Sequence, residues 1–211
     1  MYFFIKITME VKIDQVRYSI EKAREIKEIH RLHYLNSDAS EKSLTNLLHL
    51  CQCYLGKTIT AREHHMQHEG QPMRGFFLAF EDGHYEVVLM GGQNRCWKRL
   101  VLCKELFHVI LDSDEYRDPL ISRLIDNAAI SFPDPKSRPD LPIVAEMLAE
   151  IAAMEYLFPF EDRKLLRNKM SDGETVDFHA IAKRYGIPQV YVESSLKDKN
   201  MDLYSTIFSE E

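Results

Sequence analysis

The sequence predicts an α+β fold, mostly helical, with a small antiparallel β-sheet. Three observations lead there. Several long stretches place apolar residues at helical spacing. Two β-rich runs flank an Asp-Gly pair, which is the signature of a hairpin. The composition, 45% apolar and 28% charged over 211 residues, suits one well-formed core.

In chain order, residues 2–13 alternate loosely and carry Tyr, Phe, Ile and Val, which predicts a strand or extended arm. Residues 14–34 set Ile20, Ala23, Ile26, Ile29 and Leu32 at helical spacing. Asn36-Ser37-Asp38 breaks that helix, and Asp38 with Glu41 resembles a capping box for the next one. Leu44, Leu47, Leu48, Cys51 and Leu55 form its apolar face, and Gly56 closes it. Residues 60–74, with His64, His65 and His68, predict a polar loop or short helix. The hairpin pairs Phe76–Phe80 with Tyr85–Met90 across Glu81-Asp82-Gly83-His84. Trp97–Leu111 is a strongly apolar helix, and Arg117–Ile130 is an amphipathic one. Pro133, Pro135 and Pro139 mark a loop. Leu141–Phe158 is an Ala-rich helix closed by Pro159. The tail reads as helix, Gly186 turn, helix. The divisions expected are 1–36 for the N-terminal strand and helix, 37–176 for the main domain, and 177–211 for a helix-turn-helix-like tail that packs on it.

Charge and composition narrow the function classes. A net charge of −6 and a pI near 5.9 argue against a protein that binds nucleic acid through overall charge. The tail carries Lys183, Arg184, Lys197 and Lys199 among Glu193, Asp198 and Asp202, so packing is favoured over docking in DNA. No apolar run approaches the ~20 residues that span a bilayer. The start lacks the features of a signal peptide, so a cytoplasmic location is expected. Cys51, Cys53, Cys96 and Cys103 are sparse and irregularly spaced, and are expected to be reduced and mostly buried.

The chemistry concentrates on Lys104-Glu105-Leu106-Phe107-His108. In the H-E-x-x-H helix of zinc peptidases, two histidines four residues apart reach one metal, and the intervening glutamate is the general base. Here Glu105 and His108 stand in place, and lysine occupies the first histidine position. A later stretch, Glu146-Met147-Leu148-Ala149-Glu150-Ile151-Ala152-Ala153-Met154-Glu155-Tyr156-Leu157-Phe158-Pro159, is similar to the helix that follows the motif in the ImmA/IrrE family of metallopeptidases. The hairpin before the motif, and the tail Ile181–Pro188 running on to Leu196, also resemble that family. The likeness spans roughly residues 40–200.

That resemblance implies a zincin-like fold with His108 and Glu146 as metal ligands, Glu105 as general base, and zinc as cofactor. It implies a metallopeptidase-like protein acting on a protein partner such as a transcriptional repressor, in a mobile-element or stress-response setting. Two positions depart from the pattern. Glu150 replaces the usual asparagine, and Lys104 replaces a ligand. An ammonium has no lone pair for a metal, so Lys104 either serves as an electrophile for a substrate oxyanion or replaces the metal's charge by pairing with Glu105 or Glu146. In the second case there is no cofactor, and the chain is a catalytically inactive relative that binds a regulatory protein or peptide, with edge-strand pairing as the natural mode. A rival metal shell would add Asp112 or His84 to His108 and Glu146. The sequence leaves the oligomeric state open.

Overall fold

The computed structural model describes residues 13–34, 43–65, 74–111 and 141–209. The expected N-terminal strand before Ile13, the Asp38/Glu41 box, His68, Asp112 and the helix over 117–130 lie outside them.

The first helix, α1 (Ile13–His33), buries Val16, Ser19, Ile20, Ala23, Ile26 and His30 along one stripe. The second, α2 (Leu44–Leu55), is capped by Ser43, whose hydroxyl accepts the Asn46 N–H at 3.1 Å. The cap therefore lies five residues beyond the expected Asp38, where a side-chain oxygen directly precedes the first turn. Gly56 ends α2 in the left-handed region at φ 62°, a conformation that costs glycine little.

The sheet has three strands in the order β1-β3-β2. Strands β2 (Gly75–Ala79) and β3 (Tyr85–Met90) form the expected antiparallel hairpin. Its turn closes with the Phe80 N–H on the His84 carbonyl and the Gly83 N–H on the Phe80 carbonyl. The third strand corrects two expectations. Residues Ile59–His64 form β1, not a loop or short helix, and β1 pairs parallel with β3, so the sheet is mixed. Only Ile59 of β1 is buried, so the strand carries no alternating apolar pattern. Tertiary pairing supplies what the local sequence lacks. Arg62 to Glu86 at 2.8 Å reinforces the ladder to β3, and Lys98, from the helix over Arg95–Ile110, ties β1 down through Glu63 at 2.7 Å.

Helix α3 (Arg95–Ile110) starts at Asn94, whose side chain accepts the Trp97 N–H. From Leu100 to Ile110 every residue except Lys104 is buried. A helix buried on all sides lies at the centre of its fold, and α3 packs on β2, β3, α2 and α4 (Leu141–Leu157). The wholly buried Ala149, Ala152 and Ala153 of α4 let neighbouring helices approach closely. Leu106 and Phe107 are fully buried in this main core, each contributing ~1.5–3 kcal/mol of apolar burial. A second apolar cluster joins Val16 and Ile20 of α1 to Val144, Met147, Leu148 and Ile151 of α4 and to Met201, Tyr204 and Ile207. The last three belong to α8 (Asp198–Ser209), which with α5 (Phe160–Ser171) is a helix beyond those expected from the sequence.

The tail forms α6 (Phe178–Tyr185) and α7 (Gln189–Ser195) about Gly186. Ala182, Ile187, Val192 and Leu196 enter the main core. Gly186 stands at φ 62°, and a Cβ there would meet the Arg99 guanidinium at 2.9 Å. Glycine is thus favoured by the left-handed turn, and the Arg99 side chain would have to shift for a larger residue.

Candidate functional site

Positions 104, 105 and 108 lie within one turn of α3, and Glu146 reaches them from α4. Lys104 Nζ donates to Glu146 Oε2 at 2.5 Å and stands 3.1 Å from Glu105 Oε1. His108 Nε2 is 3.0 Å from Glu146 Oε1. That last contact has ion-pair distance without the alignment of a hydrogen bond, and Glu105 Oε1 likewise lacks an aligned donor. The four residues named from sequence therefore meet at one place. Glu105 is fully buried, whereas the Glu146 side chain is 44% exposed. The cluster opens to solvent through Glu146.

Electrostatics follow from this layout. Burial pushes the Glu105 carboxyl above its ordinary range, and the nearby Lys104 only partly opposes it. Burial also acts against the charge of Glu146, but His108 and Lys104 outweigh it and hold that carboxyl at about 2. Lys104 loses hydration through burial, yet Glu105 and Glu146 keep its ammonium above the ordinary lysine range. Lys104 is charged at neutral pH.

Three further residues belong to the site. Burial raises the Glu150 carboxyl, one turn after Glu146 on α4, with Lys104 and then the Tyr191 hydroxyl of α7 partly opposing it. Tyr191 packs edge-on against Trp97 at 5.7 Å, and Arg74 lies over the Trp97 ring at 3.6 Å. Phe77 of β2 stacks on the His108 ring at 5.5 Å. From the sequence, Glu150 stands out as a departure, the aromatic residues of 76–85 are expected in the core over a ligand platform, and Tyr191 has no expected role. Helical spacing from Glu146 could have flagged Glu150. No local signal marks Tyr191, which arrives through the fold of the tail.

Among the described residues the donor set does not fit zinc. Structural and catalytic zinc sites use at least three protein ligands. Here His108 and Glu146 contact each other, and an ammonium lies against both Glu146, a ligand, and Glu105, the general base. A divalent ion beside it would be repelled. His84 is engaged with Thr60 Oγ1 at 3.0 Å and stacks on Phe80. Among the described residues no group of three His, Cys, Asp or Glu side chains is arranged to hold a metal. His64 lies exposed in β1, and His65 is exposed just after it.

No helix among the described residues is long and apolar enough to cross a membrane. The sequence matches no protein-family model and no curated protein.

Proposed function

We propose that this chain is a metal-independent, non-cleaving binding protein with the helix pair of a zincin. It would take an extended segment of a protein partner, such as a transcriptional repressor, beside the Lys104 cluster. The observation that carries this reading is the Lys104 ammonium, 2.5 Å from Glu146 and 3.1 Å from Glu105. A covalently tethered cation there supplies the positive charge that a metal would bring, without its Lewis acidity or its activated water. Support for an extended ligand comes from β2. It is a terminal strand of the sheet among the described residues, and its Phe77 stacks on His108. Added-strand pairing at such an edge lays a peptide's backbone along the strand.

The competing reading is an ImmA/IrrE-type metallopeptidase, with Glu105 as general base and His108 and Glu146 as ligands. Their convergence at one place favours it; the lysine disfavours it. Metal analysis separates the two. Protein purified without chelator, with His108→Ala and Glu146→Ala alongside, is expected to carry no stoichiometric zinc in any form. About one zinc per chain, lost in both variants, would establish a metal site and sink the metal-free reading. Peptides selected from a displayed library are expected to stay intact on the protein and to bind equally well with EDTA present.

A further inference from the structure

On the opposite flank of α2 from its buried core face, a second constellation stands apart from the Lys104 cluster. Cys51 and Cys53 are two residues apart, so a helix sends them in different directions. Cys51 is wholly buried, and burial pushes its thiol up to about 12. Cys53 is exposed. One turn earlier on the same face, His49 places Nε2 3.6 Å from Cys53 Sγ, a hydrogen-bond length for sulfur. The other ring nitrogen, Nδ1, is 3.0 Å from the Tyr34 hydroxyl.

Tyr34 is itself held. Its N–H donates to the His30 carbonyl at 3.1 Å, and its ring meets the His30 ring edge-on at 4.9 Å. His30 is buried against Tyr156. The imidazole is therefore gripped on one side by a residue tied to the core, with its other nitrogen facing a thiol. A nucleophile, a base within reach and a third group orienting the base are the parts of an activated nucleophile. The sequence reading expected the four cysteines to be mostly buried. Cys51 and Cys103 are buried and Cys96 is half-buried, leaving Cys53 as the exposed one.

We propose that Cys53 is a reactive thiol modified by small disulfides, with His49 as its general base and Tyr34 as the residue that orients the imidazole. In the working tautomer, Nδ1–H donates to the Tyr34 oxygen and Nε2 accepts from the thiol. As Sγ attacks one sulfur of the incoming disulfide, His49 takes the Cys53 proton. The new sulfur–sulfur bond forms as the old one breaks, and the departing thiolate recovers the proton from the imidazolium. Cys53 is oxidised to a mixed disulfide, and the other half of the reagent is reduced to a free thiol. No further oxidant is needed.

The test treats the full chain with oxidised glutathione at pH 7, reading adducts by intact mass and locating them by peptide mapping. The first adduct is expected on Cys53, with a rate that falls about tenfold in His49→Ala, less than the ~10²-fold typical of a general base because a thiol is already partly ionised at pH 7. Tyr34→Phe is expected to slow it by a smaller factor. Cys53 in the folded chain should also react faster than the same residue in denaturant, which exposure alone cannot produce; this holds even if His49→Ala fails to fold. Modification of Cys96 first, a His49→Ala rate equal to the native one in a folded variant, or a folded rate no faster than the unfolded one overturns the proposal.

Discussion

Helix α4 carries two acidic centres nine residues apart, and they are built differently. At Glu155 both carboxylate oxygens are occupied. Oε1 accepts from Arg24 at 3.1 Å, and Oε2 accepts from Arg163 at 2.8 Å and from the Phe160 N–H at 3.0 Å. The Arg163 guanidinium also covers the Tyr204 ring at 4.1 Å. One carboxylate thus ties α1, α4, α5 and α8 together, and takes the place of the side-chain cap that Pro159 cannot give to α5. At Glu146 three carboxylates, with Glu105 and Glu150, face one ammonium and one imidazole. Glu105 Oε1 and His108 Nε2 lack aligned hydrogen bonds, and Glu146 is half-exposed. A buried carboxylate with both oxygens paired fastens helices; a carboxylate cluster with an unaligned oxygen, open to solvent on one side, is the place where a ligand can still improve the electrostatics.

The largest effect that could break this contrast is Glu155→Ala. It leaves Arg163 buried without its carboxylate and should cost about 3–5 kcal/mol in urea unfolding. A loss below about 1 kcal/mol would remove the distinction between clamp and site. Lys104→Met comes next, at about 2–3 kcal/mol, reduced because Glu146 remains half-hydrated. Adding Glu105→Gln should recover most of that loss, since it removes the stranded charge, and the double-variant cycle reads the coupling directly. The Lys104 contribution has a defined sign with pH. Its folded pKa is raised, so the stability gap between native protein and Lys104→Met is full below about 10.4 and shrinks as pH climbs through the folded value.

Smaller effects sharpen the comparison. Tyr191→Phe removes a hydroxyl that helps hold down the Glu150 carboxyl and should cost at most about 1 kcal/mol, with no change at the Glu155 clamp. The Glu146 carboxyl is held at about 2, below its unfolded value near 4.3. A depressed folded pKa stabilises above the unfolded value, and that stability is lost as pH falls from about 4 through 2. Glu146→Gln should therefore flatten the acid limb of the stability curve, by at most about 1 kcal/mol once solvent screening of the half-exposed side chain is counted. A native acid limb identical to the variant's would show that Lys104 and His108 do not hold that carboxylate.

Much of the fold was legible because it was locally encoded. The periodicity of α1, α2, α3 and α4, the Asp82-Gly83 turn and the Gly186 turn each depend on neighbours within a few residues. β1 was not legible: its six residues are five-sixths exposed positions, and only the ladder offered by β3 makes them a strand. α5 was missed because its exposed, charged faces carry little apolar period; Phe160 and Arg163 are its buried residues. Within the candidate site, the spacing of Lys104, Glu105 and His108 followed from one helical turn. Glu146 was placed beside them only through a resemblance, since nothing in the spacing of residues 42 positions apart brings them together.

By itself the sequence determined which residues share a helix face, where the hairpin turns, and that a lysine stands at the position where a metal ligand would be expected. Those are short-range properties, fixed by backbone geometry and by the chemistry of each side chain. Only the tertiary structure decided that Lys104 spans Glu105 and Glu146, that Tyr191 and Phe77 border them, that Glu155 is locked by two arginines, and that Cys53 faces an oriented imidazole. Each of these depends on helices and strands distant in sequence being packed together, and packing selects partners by shape and burial, which no local pattern records.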